Sequence, residues 1–481
     1  MEFHVSLVGR KDLTGEIYRQ LRRAILDGRL PPGGRLPPTR ELARRLSVSR
    51  TTVTTAYDRL VGEGFVSSRV GAGTFVSDGI LDAGDGAKRS GGALRPRPIW
   101  DGIWLPDAFD RPAEFDFRPG VPDAQLFPFH TWRRLMAREL RASAVGAGLY
   151  ADPAGHHGLR QAIARHVGVS RGVQATVDDV VVTNGTQQAV DVVARVLLQP
   201  GDLVAVEDPG YTPPRRLFES LGARVAGVRV DGDGLVVDAI PPNTRLVYVT
   251  PSHQFPLGMA MSLPRRMALL AWAQRHDAAI LEDDYDSEFR FGGRPIEPLQ
   301  SLDSGRVVYV GSFSKTMLAT LRLGFVVAPA SLRRALHAAK FVADWHTALP
   351  AQAALARFID EGFLARHVRR MRHVYQARHQ QIVDALTHGF ATQLEVVPSA
   401  VGLHVTATAR TASDEEVDAV VRRASAAGVE VQSLSMYRVE EPARPGLLLG
   451  YGAIPTARIE EGLRRLRRCF EGQVDADRHD R

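Results

Sequence analysis

Hydrophobic positions recur at helical spacing three times within the first 62 residues. After a candidate cap at Thr14, "IYRQLRRAIL" places Ile17, Leu21 and Ile25 on one face, and "TRELARRL" repeats the pattern. "SVSRTTVTTAYDRLVGEG" gives a third helix, and "FVSSRVGAGTFV" follows with two short β-rich runs around a glycine turn. The pattern predicts three helices and a hairpin, which is the order of a winged helix-turn-helix.

The third helix has a polar face next to its start. We expect a cap at Ser47 or Ser49, followed by exposed Arg50 and Thr51. The second helix of such a pair can lay its N-terminus in a DNA major groove, where Arg50 would reach a base edge. A small helical packing module without a ligand stays open as the alternative on this pattern alone.

The rest of the chain changes character twice. Residues 79–112 are rich in Gly, Pro and charge without a sustained period, so we expect a linker between a domain at 10–78 and another at 113–472. From residue 113 onward, apolar runs such as "DDVVVTNG", "AAILEDDY", "RVVYVGSFS" and "LGFVVAP" alternate with helix-length segments. This alternation predicts an α/β fold with a parallel sheet covered on both faces, and ligands at the carboxyl ends of its strands.

Composition narrows the class of protein. Hydrophobic content of 44% and charged content of 24% are typical of a soluble globular protein, and no apolar stretch is long enough for a membrane span or signal peptide. We therefore expect a cytoplasmic protein with no membrane partner. The one cysteine, Cys469, excludes an internal disulfide and a cysteine-rich zinc site, and we predict no metal centre.

Positive charge is concentrated at the start of the chain. The net charge is +7, and residues 1–80 hold thirteen Lys and Arg against eight Asp and Glu. Such an excess suits a polyanion such as DNA, although a solvated basic face would also explain it.

Two segments at predicted strand ends have the chemistry of a bound phosphate and a bound ring. In "TNGTQQAVDVV" a Gly-Thr pair opens a helix, so free N–H groups with Thr186 and Gln187 can hold a phosphate, or the pair is a simple cap. In "AAILEDDYDSEFR" Asp283 can face a protonated ring nitrogen while Tyr285 lies on the same side. A cation site and a solvated acidic loop are the alternatives for this acidic segment.

The stretch "VGSFSKTMLATLRLGF" joins these pieces. Ser312, Ser314 and Arg322 can bind a phosphate, and Lys315 is close enough to form an imine with an aldehyde on the same ligand. A lone lysine is far more often a surface charge. Its position after a strand, between serines and an arginine, favours the chemical interpretation.

Two family resemblances give these motifs specific roles. The "LPPTR" turn, the "SRTTV" helix start and the "GAGTFV" wing resemble the GntR-type winged helix over residues 12–77. The resemblance implies DNA contacts from Arg40, Ser49, Arg50, Thr51, Thr52, Arg69, Gly71 and Gly73. Residues 113–471 resemble the fold-type I aminotransferases that use pyridoxal 5′-phosphate (PLP).

The second resemblance assigns the cofactor residues. It implies Lys315 as the Schiff-base lysine, Asp283 as the partner of the pyridine nitrogen, and Tyr285 as the phenol near the ring oxygen. Tyr211 is implied as the stacking aromatic and Tyr150 as a residue that reaches the phosphate of the neighbouring subunit. The implied phosphate cup consists of Gly185, Thr186, Gln187, Ser312, Ser314 and Arg322.

The combination resembles the MocR subfamily of GntR-type transcription regulators. This implies a head-to-tail homodimer that binds a double-stranded DNA operator and senses an amine, an amino acid or PLP itself. The chain departs from the enzyme pattern in "QFPLG", where Phe255 replaces an asparagine, and in "PGLLLGYGA", which leaves only Arg444 near the expected carboxylate clamp. We therefore favour sensing, with an active aminotransferase as the alternative and a DNA-binding architectural protein as a third reading.

Overall fold

The computed structural model describes residues 12–69, 72–77, 94–103, 113–145, 148–292, 297–440 and 444–472. The chain divides into two compact units, Met1–Pro96 and Arg97–Arg481. Most of the predicted linker 79–112 and the predicted DNA contact Gly71 lie outside the described residues.

The first unit is a winged helix-turn-helix. Its elements are α1 Leu13–Leu26, α2 Thr39–Leu46, α3 Arg50–Gly62, β1 Val66–Arg69 and β2 Gly73–Val76, and the two strands form an antiparallel hairpin. The apolar faces of the helices meet in one core that includes Ile17, Leu21 and Val53. The cap of α1 is Asp12 and not the predicted Thr14, because the Asp12 Oδ1 atom accepts the Gly15 N–H at 3.0 Å.

The second unit contains both helices and strands, and they alternate over much of the stretch from residue 180 to residue 312. The helices are α4 Phe129–Glu139, α5 Ala142–Val145, α6 His157–Arg171, α7 Gly185–Leu197, α8 Thr212–Ser220, α9 Leu263–His276, α10 Leu299–Leu302, α11 Arg333–Asp344, α12 Leu349–Asp360, α13 Phe363–Gly389, α14 Asp414–Ala426 and α15 Ile459–Phe470. The strands are β3 Phe115–Asp116, β4 Val180–Thr183, β5 Leu203–Asp208, β6 Arg224–Asp231, β7 Gly234–Leu235, β8 Thr244–Val249, β9 Ala279–Asp284, β10 Val307–Ser312, β11 Gly324–Val327, β12 Leu394–Val396, β13 His404–Ala409, β14 Val429–Glu430, β15 Gln432–Ser433 and β16 Gly446–Gly450.

The main sheet has the strand order β4-β11-β10-β9-β8-β5-β6-β7. Strands β10, β9, β8, β5 and β6 pair in parallel, as the buried apolar runs predict. The prediction was wrong for "LGFVVAP", since β11 runs antiparallel to both of its neighbours and the sheet is mixed. The connection from β10 to β11, residues 313–323, is too short for a crossover helix, so the chain must return in the opposite direction.

A smaller antiparallel sheet, β12-β13-β16-β15, lies in the same unit. Buried side chains from α6, α13 and α15 pack with side chains of both sheets into one apolar cluster. The carboxyl ends of β4, β9 and β10 lie at one edge of the main sheet, where the candidate site lies. Within the described residues, no helix is long and apolar enough to cross a membrane.

Candidate functional site

A cavity of about 310 Å³ lies at this edge of the main sheet. It brings together nine of the residues that the sequence predicts for the cofactor: Thr186, Gln187, Tyr211, Asp283, Tyr285, Ser312, Ser314, Lys315 and Arg322. Residues that are far apart in the chain meet here because successive parallel strands end at the same edge.

Lys315 lies three residues beyond the end of β10. Its Nζ atom donates a hydrogen bond of 2.7 Å to the carbonyl of Gly120. Gly120 has a φ of +73°, and a Cβ atom there would lie 2.5 Å from the amine, so only glycine lets the lysine approach. Burial lowers the pKa of Lys315, and the carboxylates of Asp286 and Asp283 oppose that effect. A depressed amine pKa is what a nucleophilic lysine needs.

Asp283 is buried at the end of β9, with one carboxylate oxygen satisfied and one not. Tyr248 donates a hydrogen bond of 2.7 Å to Oδ2, while Oδ1 has no partner among the described residues. Burial raises the pKa of this carboxyl to about 7, against the hydrogen bond from Tyr248 and the charge of Lys315. An unpartnered buried oxygen that lines a cavity is costly unless a ligand supplies the missing donor.

The predicted phosphate residues surround the start of α7. Gly185 begins this helix with a φ of +76°, and its preceding residue, Asn184, makes no side-chain cap, so the first N–H groups stay available. Arg322 donates to the carbonyl of Asn184 at 3.1 Å, and a Cβ on Gly185 would lie 2.8 Å from the arginine. Free N–H groups, the positive end of the helix dipole and a guanidinium are groups that can hold an anion.

Three predicted residues do not line this cavity: Gly185, which begins α7 beside it, Tyr150 and Arg444. The ring of Tyr150 is 75% exposed and packs on Trp345 with 4.1 Å between ring centroids, so it does not line the cavity of its own chain. Arg444 pairs with Glu395 at 2.9 Å on an exposed surface, so the structure does not place it at the cavity. Its exposed ion partner holds it at the far edge of the small sheet.

Several cavity residues were not part of the sequence prediction. Thr250, His404, Gln432 and Tyr437 line the cavity, and a buried pair of His253 and Asp286 contacts Tyr285 from behind. The signals were present in stretches already considered, because His253 stands in "TPSHQFPLG" and Asp286 directly follows Tyr285. Nothing in the spacing alone shows that these two side chains meet.

The start of α3 provides the candidate DNA surface. Ser49 caps the helix by accepting the Thr52 N–H at 3.0 Å, and Arg50 and Thr51 are exposed beside it. Among the described residues, Arg40 and Arg50 form no ion pair, whereas Arg45 is held by Glu41. Unpaired guanidinium groups at a helix N-terminus are available for phosphates and base edges.

The wing adds a second part of this surface. Arg69 ends β1 and lies over the ring of Phe75, 5.3 Å from its centroid, and it is exposed. Gly73 begins β2 with a φ of +116°, where a Cβ would crowd the Arg35 side chain at 3.0 Å. The hairpin therefore presents a basic side chain at the end of β1, opposite Gly73.

Comparisons with known proteins match both units. Residues 121–466 match the family "Aminotransferase class I and II", and residues 13–76 match "Bacterial regulatory proteins, gntR family". The solved structures that resemble the chain include kynurenine aminotransferase of Pyrococcus horikoshii, with a TM-score of 0.68 and 26% identity over 75% of this chain and 91% of that one. LysN, an α-aminoadipate aminotransferase of Thermus thermophilus complexed with a phosphopyridoxyl-leucine, has a TM-score of 0.68 and 30% identity over 74% and 92%.

Relatives that carry both units are transcription regulators by name. The chain is 40% identical to the probable rhizopine catabolism regulatory protein MocR of Rhizobium meliloti, over 95% of this chain and 93% of the relative. It is 34% identical to the regulator TauR of Rhodobacter capsulatus, over 97% and 98%. It is also 32% identical to the pyridoxine biosynthesis regulator PdxR of Corynebacterium glutamicum, over 91% of each. The chain therefore belongs to the gntR family of bacterial regulatory proteins, and within it to the MocR-like regulators that carry an aminotransferase class I and II domain.

Proposed function

We propose that the protein is a PLP-dependent transcription regulator that binds an operator through its first unit and senses an amine, an amino acid or PLP through its second. One observation carries the proposal. The unpartnered oxygen of Asp283 and the amine of Lys315 line one cavity, in a chain that also has a winged helix-turn-helix. A DNA partner also makes the bacterial cytoplasm the proposed location.

The residues of the cavity fit PLP at three points. The Oδ1 atom of Asp283 would accept a hydrogen bond from the protonated pyridine nitrogen. This would supply the hydrogen bond that the buried oxygen lacks. The first turn of α7, with Ser312, Ser314 and Arg322, would hold the phosphate. Lys315 would anchor the aldehyde. When bound, PLP supplies a reactive carbonyl and an electron-withdrawing ring.

Sensing is favoured over turnover by what the cavity offers to an amino acid. Phe255 lines the cavity where aminotransferases place an asparagine, and a phenyl ring donates no hydrogen bond to the cofactor. Arg444, the candidate carboxylate clamp, is engaged with Glu395 at the surface. A substrate carboxylate would therefore lack its bidentate partner from this position, and alignment for transamination would suffer.

The second candidate function is an active aminotransferase with an attached DNA-binding unit. Lys315 and Asp283, the two groups that this chemistry requires most directly, both line the cavity, and that observation favours it. Steady turnover of an amino donor with a keto acid would decide for this alternative.

A head-to-tail homodimer is part of the proposal. Leu149, Tyr150 and Val342 are 79%, 75% and 82% exposed, and the rings of Tyr150 and Trp345 are in contact, with 4.1 Å between their centroids and their planes inclined by 55°. An exposed apolar group of this kind is typical of a subunit interface, and it carries the tyrosine that would reach the neighbouring phosphate. Sedimentation at micromolar concentration should give the mass of two chains.

The direct test is the absorption spectrum of the purified protein after incubation with PLP, before and after borohydride. The cofactor assignment is supported if borohydride removes a visible band and mass spectrometry then finds the reduced PLP group on the peptide that contains Lys315. Candidate amines are then added, and operator binding is measured in parallel. A band that shifts with an amine, together with a change in operator affinity, supports sensing.

Other outcomes would count against the proposal. A protein that stays colourless with excess PLP and binds DNA would support the architectural alternative. Turnover without any change in DNA affinity would support the enzyme.

A further inference from the structure

Two buried ionisable residues lie behind Tyr285 and belong to no role assigned so far. The Nδ1 atom of His253 is 3.0 Å from both carboxylate oxygens of Asp286 and 3.0 Å from the hydroxyl of Tyr285. The side chains of His253 and Asp286 are 1% and 2% exposed. Tyr285 itself lines the cavity, so the pair touches the site through it.

We assign the protons of this group from the partners of the His253 Nδ1 atom. An imidazole nitrogen next to a carboxylate carries the proton and donates it, so Nδ1–H of His253 points to Asp286. The Tyr285 oxygen, at the same distance from Nδ1, shares that N–H as an acceptor. The O–H of Tyr285 is then not used by the histidine, and it remains a donor for a group in the cavity.

We propose that His253 and Asp286 are positioning residues that hold the Tyr285 hydroxyl as a hydrogen-bond donor to the ring oxygen of PLP. The proposal rests on the proposed function, because its target is the bound cofactor. It gives Tyr285 a specific importance here, since Phe255, whose ring centroid lies 6.1 Å from that of Tyr285, offers no donor on the same side.

The backbone is shaped around this pair. Gly402 has a φ of +89°, and a Cβ atom there would lie 2.1 Å from His253 Cε1 and 2.4 Å from Asp286 Oδ2. On the other side of the ring, the Ser399 hydroxyl lies 3.4 Å from His253 Nε2. A glycine that no other residue could replace indicates that the pair occupies a defined slot.

The charge of Asp286 also acts on the lysine. Burial lowers the pKa of Lys315, and Asp286 is the stronger of the two carboxylates that oppose this effect, ahead of Asp283. The carboxylate therefore lies near both groups that would face the aldehyde end of the cofactor. Asp286 is therefore well placed to position the Tyr285 hydroxyl at the end of the cavity where Lys315 lies.

A metal site is the competing explanation for the same cluster. Ligating atoms of His253, Asp286 and His404 lie within 4.8 Å of one another. The two imidazole rings are stacked, however, with centroids 4.6 Å apart and planes inclined by 27°. Lone pairs in nearly parallel planes do not converge on one ion, and His404 Nε2 is directed to the carbonyl of Pro256 at 3.2 Å.

The test is a double-mutant cycle on the PLP-loaded full chain, with the pH titration of the visible absorption band as readout. The variants are His253→Leu, His253→Asn, Tyr285→Phe and His253→Leu/Tyr285→Phe. A donor at the ring oxygen stabilises its deprotonated form, so losing the donor raises the apparent pKa of the bound chromophore. We expect a rise of about one unit and about tenfold weaker retention of PLP in His253→Leu.

The cycle separates positioning from packing. His253→Asn keeps a hydrogen-bond donor close to the Nδ1 position, so the apparent pKa of its bound chromophore should lie close to the wild-type value. In the Tyr285→Phe background, His253→Leu should add nothing, because the hydroxyl that it positions is absent. The other groups that act on Tyr285, namely Asp283, Glu207 and Tyr451, are unchanged in every variant. Thermal unfolding monitors folding, and Asp286→Asn provides a second route if His253→Leu does not fold.

Each outcome has one meaning. An equal shift from His253→Leu with and without the Tyr285 hydroxyl would overturn the positioning role while PLP binding stands. If the wild type binds PLP and the His253→Leu variant shows the same pH titration of its visible band, the positioning role would also be overturned. A wild-type protein that never binds PLP would overturn the proposed function, and this inference with it.

Discussion

The charged side chains at the two candidate sites, one in each unit, lie in different surroundings. In the first unit, the ion pairs join side chains that are all at least about one-third exposed, and Arg40 and Arg50 form none among the described residues. The second unit also has exposed ion pairs, but its Asp283, Asp284 and Asp286 are at most 5% exposed, and Asp286 lies beside His253 and acts on the pKa of Lys315.

This difference teaches how each unit can recognise its ligand. Exposed charges act through water, so their effect is long-ranged, modest per residue and weakened by salt. Buried charges act over short distances, resist salt and have shifted pKa values that respond to a ligand. Under the proposed function, the buried charges would respond to a small molecule in the cavity and the exposed charges would bind DNA.

The largest expected effect comes from removing the lysine amine. Lys315→Ala should abolish the borohydride-sensitive visible band completely, because no other described amine lines the cavity. Operator affinity without an effector should stay within about twofold, since Arg50 and the wing are untouched. Spectroscopy and a DNA-binding titration of the same sample check both statements. If the Lys315→Ala variant were as fully folded as the wild type and yet failed to bind DNA, the two units would not act separately as this comparison assumes.

A second prediction concerns the buried carboxyl of Asp283. Burial raises its pKa to about 7, so the folded chain without cofactor holds a proton that the unfolded chain releases near pH 4. The stabilising contribution of this group is present below pH 4 and is lost as the pH rises to about 7. Compared with the wild type, the cofactor-free Asp283→Asn variant should therefore gain more stability at pH 8 than at pH 5. The same change should weaken PLP binding by about 3 kcal/mol.

Melting curves of cofactor-free wild type and Asp283→Asn at several pH values test this prediction. Glu207 and Glu282, whose pKa values burial also raises to about 7, remain in the variant and keep part of the pH dependence. Identical pH profiles of the two proteins would contradict the assignment of the shift to Asp283.

Much of the fold of the two units, and many of the cavity residues, could be predicted from the sequence because they depend on local patterns. The spacing of apolar residues located α2 at "TRELARRL", and Ser49 was one of two caps expected for α3. The motif after each apolar run located the cavity residues, since carboxyl ends of parallel strands meet by topology. The direction of β11 was not predictable from its apolar run, because direction depends on the length of the preceding connection.

The rest of the site depends on contacts between distant residues. His253 and Asp286 are 33 positions apart and meet only because β8 and β9 are neighbours. Arg444 is near the carboxyl-terminal strand in sequence, yet Glu395 holds it at the surface. Pairing of this kind has no local signal, so sequence patterns name the residues at strand ends and miss those that support them.

The exposed side of the comparison is tested by Arg50→Ala. If Arg50 reaches a base edge, the change should weaken operator binding by about 1 to 3 kcal/mol and random DNA much less. Arg45→Ala is the matched control, because Arg45 is an exposed arginine of the adjacent helix that Glu41 already holds. Fluorescence anisotropy at several salt concentrations measures both. Equal losses on operator and random DNA would mark Arg50 as a phosphate contact.

The smallest expected effect comes from the cap of the recognition helix. Ser49 Oγ accepts the Thr52 N–H at 3.0 Å and lies 2.7 Å from the Thr52 hydroxyl, so Ser49→Ala leaves that N–H to water. We expect a loss of about 1 kcal/mol in the stability of the first unit, with no change in the PLP spectrum. Ser49→Asp, which restores an acceptor, should recover the stability and yet weaken DNA binding, because it adds a negative charge where phosphates are expected. Chemical denaturation measures the first effect and anisotropy the second. If Ser49→Asp instead bound DNA as well as the wild type, the start of α3 would not face the phosphate backbone, and the basic surface of the first unit would need another orientation on DNA.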